Sequence, residues 1–313
     1  MAKYCFGIDI GGTTVKCGLF RITGQLCEKW EIPTRTENSG KMILPDVAET
    51  ISKKMKEYNL KRVDIIRIGV GIPGPVEYEK NVLFAVNLHW GYTEVADQLS
   101  AMLDDIPVKV GNDANVAALG EMWKGGGEGS NSIIMVTLGT GVGGGIIVDG
   151  KIVTGAHGAG GEIGHASINP GEPVQCKCGN HGCLEQYASA TGLVRIGKLI
   201  LEESTEPTEL QKENLSAKSI FDAYKRKDVV AAKIVRRFAD CLGYALGIFT
   251  TVIGPDVIVI GGGVSKAGAP LVEAVTESFQ KYAFSSCRNT PIVSAKLDND
   301  AGIFGAAKLA IDG

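Results

Sequence analysis

Apolar residues come in short runs along this chain, and the period of the runs changes in a regular way. Residues 4–10 and 15–22 are apolar stretches separated by the polar turn Gly11–Thr14, which predicts two strands. "DVAETISKKMKEY" places Val47, Ile51, Met55 and Tyr58 at helical spacing. Residues 63–72 form an apolar run that stops at "PGP", a buried strand followed by a rigid turn. "TEVADQLSAML" reads as a helix, "IPVKVGND" as a strand, and "ANVAALGEMW" as a helix that follows at once.

The pattern then restarts. Residues 133–153 read as strand, glycine turn, strand, Asp-Gly turn, strand. "GIDIGGTTVKCGLF" (7–20) lies over "MVTLGTGVGGGIIV" (135–148), with Gly11 over Gly139 and Thr13 over Gly141. One architectural unit is used twice. Residues 157–187 are irregular and rich in glycine, cysteine and histidine. Helices are predicted over 188–204, 217–227, 229–253 and 269–282, with a charged exposed loop at 202–214. "DVIVIGGGVS" is a buried strand running into glycines, "PIVSAKL" a last strand and "AGIFGAAKLAI" a last helix. This is α/β in two similar halves. The expected domains are 1–112, with helix 300–313 packing back on it, and a larger 113–299 that carries the loop 157–187.

Bulk properties narrow the classes. The chain has 313 residues, 44% hydrophobic and 21% charged, enough for a sizeable core. A net charge of -3 gives no basic excess for nucleic acid. No apolar segment has the length of a membrane span and no secretion signal is evident, so a cytoplasmic protein is expected. Of eight cysteines, three crowd into "CKCGNHGC" while the others are scattered in apolar settings. Clustered cysteines without a secretion signal suggest metal, and scattered ones core packing.

Three glycine turns carry candidate chemistry: Gly11–Thr14, Gly139–Gly145 and Gly261–Ser265, each directly after an apolar strand. Glycine lets backbone N–H groups approach a phosphate and point at it. No G-x-x-x-x-G-K-[ST] is present, which removes a P-loop. "GTGVGG" (139–144) matches G-x-G-x-x-G, but a strand follows where the dinucleotide fingerprint opens a helix. Asp9 stands two residues before the first turn, where a cation such as Mg²⁺ would let a carboxylate share a site with phosphate. Lys16 either adds charge to the phosphates or is a solvated strand lysine. Asn112 and Asp113, where a strand gives way to a helix, read as a helix cap or as a general base for transfer to an alcohol. Cys176, Cys178 and Cys183, closed by His165 or His181, make a structural zinc site. Glu162 and Glu185 flank it as hydrogen-bond acceptors or as surface acids.

Taken in order, "DIGGT", "GIPGPV", "NDAN", "LGTGVGGG", "GAGGEIGH", "CKCGNHGCLE" and "GGGVS" resemble the ROK family of sugar kinases and sugar-responsive repressors over essentially the whole chain. That resemblance implies a two-domain actin-like (ribonuclease-H-like) ATPase fold with a cleft between the domains and a zinc-stapled loop. It implies a hexose kinase, most similar to the glucokinases, with kinases for N-acetylmannosamine, fructose or another hexose as alternatives and a non-catalytic sugar sensor as the alternative of another class. By resemblance, Asp113 is the base for the sugar 6-hydroxyl, and Asn112, Glu162, His165 and Glu185 hold the other hydroxyls. His165, Cys176, Cys178 and Cys183 bind Zn²⁺. Gly11, Gly12, Thr13 and Thr14 face Gly139, Thr140, Gly141 and Gly143 across the phosphates of ATP. Gly261, Gly262 and Gly263 lie by the adenosine, and Asp9 helps hold Mg²⁺. Where the family often has a glutamate before "NDAN", this chain has Gly111. Family repressors carry a helix-turn-helix ahead of the sugar domain, and here the first strand begins at Tyr4. A homodimer or homotetramer is expected.

Overall fold

The computed structural model describes residues 3–312. Two compact units share the chain: residues 1–129, 152–160 and 299–313 form one, and 130–151 with 161–298 form the other.

The first unit is built on a five-stranded sheet. Its strands are β1 (Tyr4–Ile10), β2 (Thr14–Arg21), β3 (Leu26–Pro33), β4 (Ile65–Ile72) and, after the small hairpin β5 (Val76–Glu77) and β6 (Asn81–Val82), β7 (Val108–Asn112). The order is β3-β2-β1-β4-β7. β1 pairs antiparallel with β2 and parallel with β4, and β4 pairs parallel with β7. β1 and β4 are buried along nearly their whole length, which explains their continuous apolar runs. β3 is the edge strand, and its alternation of half-buried Trp30 and Ile32 with exposed Lys29 and Glu31 marks it. The turn α1 (Glu37–Gly40), the helix α2 (Ile43–Glu57) and α3 (Val95–Ala101) complete one side. Val47 and Ile51 are buried and Met55 packs on that core, as their helical spacing predicts.

The other side is formed by α4 (Asp113–Lys124) and α10 (Ala301–Asp312). These elements meet backbone to backbone. A Cβ on Gly120 would lie 2.2 Å from Ala301 O, one on Gly305 1.7 Å from Val116 O, and one on Gly69 1.8 Å from Ala306 O. Ile303, Ala307 and Ala310 close a buried cluster with Cys5 and Phe20. α4 therefore belongs to the first unit, which runs on beyond Asn112 to Gly129 because α4 packs against α10 and the sheet.

The second unit repeats the plan. β8 (Ile133–Leu138), β9 (Val142–Val148), β10 (Lys151–Ile152), β11 (Val257–Gly261) and β12 (Ile292–Ser294) are ordered β10-β9-β8-β11-β12. An antiparallel hairpin again sits beside a parallel pair. The overlay of 7–20 on 135–148 is thus an overlay of two hairpins at equivalent places. The helices are α5 (Glu185–Ala188), α6 (Ala190–Glu203), α7 (Ala217–Lys225), α8 (Val229–Ile253) and α9 (Ala269–Tyr282). α8 begins at Asp228, whose side chain accepts from Ala231 N, and ends at Gly254 with φ 61°. Among the described residues no helix is long and apolar enough to cross a membrane.

Candidate active site

In the first unit, β1 delivers Asp9 to the mouth of the turn. The turn is closed by Gly11 N donating to Thr14 O at 3.0 Å, and it is tied to β3 by Thr34 Oγ1 donating to Gly11 O at 2.7 Å and Thr34 N to Thr13 O at 2.9 Å. Gly12 and Thr13 are exposed, and Thr14 opens β2. No hydrogen bond from a described residue reaches the Asp9 carboxylate. Burial pushes it up to about 6, with Lys16 pulling it down and Asp113 pushing it up. A half-buried carboxylate without a donor suits a cation, so Asp9 fits Mg²⁺. Lys16 lies opposite Asp9 in the β1–β2 register, and its ammonium donates to Asn299 O at 2.9 Å.

β7 ends at Asn112 and α4 starts at Asp113, and the two residues divide the work that either one alone leaves ambiguous. Asn112 is the cap: Oδ1 accepts from Ala114 N and Asn115 N, and Nδ2 donates to Gly74 O of the "PGP" turn at 3.1 Å. Asp113, the first residue of the helix, shares one of these N–H groups. Its Oδ1 accepts from Ala114 N at 2.8 Å. Burial raises its pKa, and the Ala114 N–H and the Asn112 side chain pull the other way without cancelling it.

Beside Asn112 a cavity of about 150 Å³ is lined by Val76, Tyr78, Asn112, Asn115 and Thr154. Asn115 is 3% exposed, its Nδ2 donates to Gly160 O at 3.4 Å, and its Oδ1 has no donor among the described residues. Sequence patterning treats Asn115 as one more residue of a helix and gives no sign of this orphaned acceptor. Asn87, within 3.4 Å of a Cβ on Gly12, lies in no motif of the sequence.

The second unit holds the other candidates. β9 carries the segment 161–165 on its surface. A Cβ on Gly144 would lie 2.4 Å from Ile163, and one on Gly164 2.0 Å from Val142 O. This contact presents Glu162, which is exposed, and His165, which is half-buried. The donor atoms of His165, Cys176, Cys178 and Cys183 all lie within 4.8 Å of one another. Three thiols and one imidazole at that spacing fit a tetrahedral Zn²⁺, which would be held by the protein alone and serve as a staple. His181 is used elsewhere, its Nδ1 lying 2.9 Å from Glu172 O, so the fourth position falls to His165.

Glu185 opens α5 at the edge of this cluster. Its Oε1 is 3.3 Å from Cys176 Sγ and 3.8 Å from His165 Nδ1. A second anchor holds the same loop. Glu172, 8% exposed, accepts three bonds of 3.1 Å from the Arg195 guanidinium and a further bond from Tyr187 Oη. Arg195 also lies over the Tyr187 ring, 4.9 Å from its centroid. This network has no sequence signature, since Glu172 sits in an irregular stretch and Arg195 on a helix.

The remaining glycine turns differ in how they are held. Gly139 and Thr140 are bonded through their carbonyls to the start of α6, from Ala190 N at 2.8 Å and Thr191 Oγ1 at 2.7 Å. β9 follows Gly139–Gly141 directly, so G-x-G-x-x-G opens a strand here. At the end of β11, Gly262 has φ 83° and a Cβ there would lie 2.6 Å from Leu138 N, so only glycine fits. Gly263 has open space around it.

Two like sheets, each with a glycine turn between antiparallel strands, define the mixed α/β actin-like ATPase class. A glucokinase of Halalkalibacterium halodurans is 40% identical over 98% of this chain and 94% of its own length. The crystal structure of a ROK family glucokinase from Streptomyces griseus in complex with glucose and AMPPNP superposes with a TM-score of 0.74 at 31% identity, covering 99% of this chain and all of that one (100%). The ROK hexokinase of Thermus thermophilus gives 0.81 at 30%, with 99% and 100% covered. The ROK family pattern matches residues 5–313, and the chain belongs to the ROK family.

Proposed function

We propose that this protein is an ATP-dependent hexose kinase that phosphorylates glucose at its 6-hydroxyl, with Asp113 as the general base. The sugar oxygen attacks the γ-phosphorus of ATP, its proton passes to the Asp113 carboxylate, and ADP leaves. The observation that carries this reading is the division of labour at the start of α4. Asn112 caps the helix N-terminus, and the adjacent half-buried carboxylate, which Ala114 N also reaches, has a raised affinity for a proton.

The other residues fall into place around that step. Asn112, Glu162, His165 and Glu185 orient the sugar through its remaining hydroxyls. The orphaned Asn115 acceptor beside the cavity suits a ligand rich in hydroxyl donors. The turns at Gly11–Thr14 and Gly139–Gly143 offer backbone N–H groups to the phosphates, and Gly261–Gly263 lie by the adenosine. Mg²⁺, when bound through Asp9, supplies charge neutralisation on the transferring phosphoryl group. Zn²⁺ in the His165, Cys176, Cys178 and Cys183 site holds His165 for the sugar. The same reading places the enzyme in the cytoplasm, as a homodimer or homotetramer whose partner is a sugar.

The test is ADP release from Mg·ATP by the purified protein against a panel of sugars, with a no-sugar control. Release with glucose is expected. Release with another hexose alone corrects the substrate, and no release from folded, zinc-loaded protein overturns the kinase reading in favour of a sugar sensor.

A further inference from the structure

Gly139 and Gly141 lie in one turn, and the motif treats them alike. Their surroundings are different. A Cβ on Gly139 meets nothing within 4 Å, whereas a Cβ on Gly141 would stand 2.5 Å from Glu185 Oε2 and 3.7 Å from its Cδ. Gly141 does not have a positive φ, so the backbone at this point accepts an ordinary residue. The bare Cα serves the neighbouring carboxylate instead of the turn.

Glu185 is confined on its other side as well, with Oε1 against Cys176 Sγ and near His165 Nδ1. Its main chain is joined to the same turn: Ser189 Oγ donates to Glu185 O at 2.6 Å, while Ala190 N and Thr191 Oγ1 donate to Gly139 O and Thr140 O. Turn and glutamate are therefore linked through the start of α6. A methyl group on Gly141 has only one thing to displace, the end of a flexible side chain.

We propose that Gly141 is a positioning residue for sugar recognition: its missing side chain fixes where the Glu185 carboxylate stands, and through it the affinity for sugar hydroxyls, while Gly139 keeps the open face offered to phosphate. This rests on the sugar-binding role given to Glu185 under the proposed function.

The experiment compares Gly141→Ala and Gly139→Ala in the full-length, zinc-loaded protein. Glucose affinity is measured by calorimetry without nucleotide, and the KM for ATP separately. Gly141→Ala is expected to weaken glucose binding about tenfold, the worth of one misplaced charge-assisted hydrogen bond, with the KM for ATP within about twofold. Gly139→Ala is expected to do the reverse. Adding Glu185→Asp to Gly141→Ala shortens the acid by one methylene and restores part of the lost affinity. Glu185→Gln separates the two claims. If it weakens glucose binding while Gly141→Ala does not, the positioning role is overturned alone. If it leaves glucose binding unchanged, the role of Glu185 falls and the inference with it. Thermal melts of each variant verify that the fold is retained.

Discussion

Asp9 and Gly302 are in contact: a Cβ on Gly302 would lie 2.4 Å from Asp9 Oδ2 and 2.5 Å from its Cγ. Gly302 is the second residue of α10, so the carboxylate sits at the positive end of that helix. Lys16 Nζ bonded to Asn299 O and Lys29 Nζ, 2.6 Å from Asp300 Oδ2, hold the approach to α10 on β2 and β3. Gly302→Ala is expected to push Asp9 aside and raise the KM for Mg·ATP about tenfold or more, leaving glucose binding unchanged. Mg²⁺ titrations and protection against heat by Mg·ADP measure this. Unchanged nucleotide protection would detach Asp9 from the nucleotide site.

Asp113→Asn removes the proposed base and keeps its shape. The expected loss in kcat is about 10² to 10⁴-fold, with glucose affinity within about threefold. In the parent enzyme the rate falls as pH falls through the pKa of this carboxylate, which must be ionised to accept a proton. Because burial raises that pKa, the acid limb lies above 3.8, the ordinary aspartate value. A pH profile of kcat/KM for glucose locates the limb, and a limb at the ordinary value would argue for a solvated group.

The three cysteines and His165 predict about one zinc per chain by metal analysis of protein never exposed to chelator. Cys183 is fully buried, at 0% exposure, and Cys183→Ser is expected to lose the metal and lower the melting temperature. A parent protein with less than about a tenth of an equivalent would remove the site.

Arg195→Met leaves the Glu172 carboxylate buried without its cation. The expected cost is about 3 kcal/mol at neutral pH, read from urea unfolding. Burial alone would raise the Glu172 pKa, but the bonds from Arg195 and Tyr187 outweigh it and hold the group below its ordinary 4.5. A carboxyl with a depressed pKa stabilises the fold above the unfolded value and loses that contribution as pH falls through the folded one. The gap between parent and variant should therefore narrow below about pH 4.5.

Periodicity was a good guide where packing is regular. The run at 257–261 and the helical spacing of 229–253 and 269–282 translate directly into β11, α8 and α9. β3 escapes it because an edge strand covered on one face carries Glu28, Lys29 and Glu31 among its apolar residues. The zinc cluster is legible because thiols at short spacing mean little else in such a loop. The choice between His165 and His181 is not, since it depends on a carbonyl nine residues away, Glu172 O, that occupies His181. The roles of Asn112 and Asp113 likewise separate only when the amide is seen capping α4. Asn115 and the Glu172–Arg195–Tyr187 network lie beyond patterning altogether, because nothing local in the sequence encodes a long-range partner.

The seam of glycines under α10 also orders events at the ribosome. Cys5 Sγ reaches Ala307 O across 302 positions of sequence, and the cluster of Cys5, Phe20, Ile303, Ala307 and Ala310 cannot form until both ends have been translated. The first strands to emerge therefore wait, with the sheet faces at Gly7 and Gly69 bare, while the second unit has all of its own strands and helices available before α10 appears.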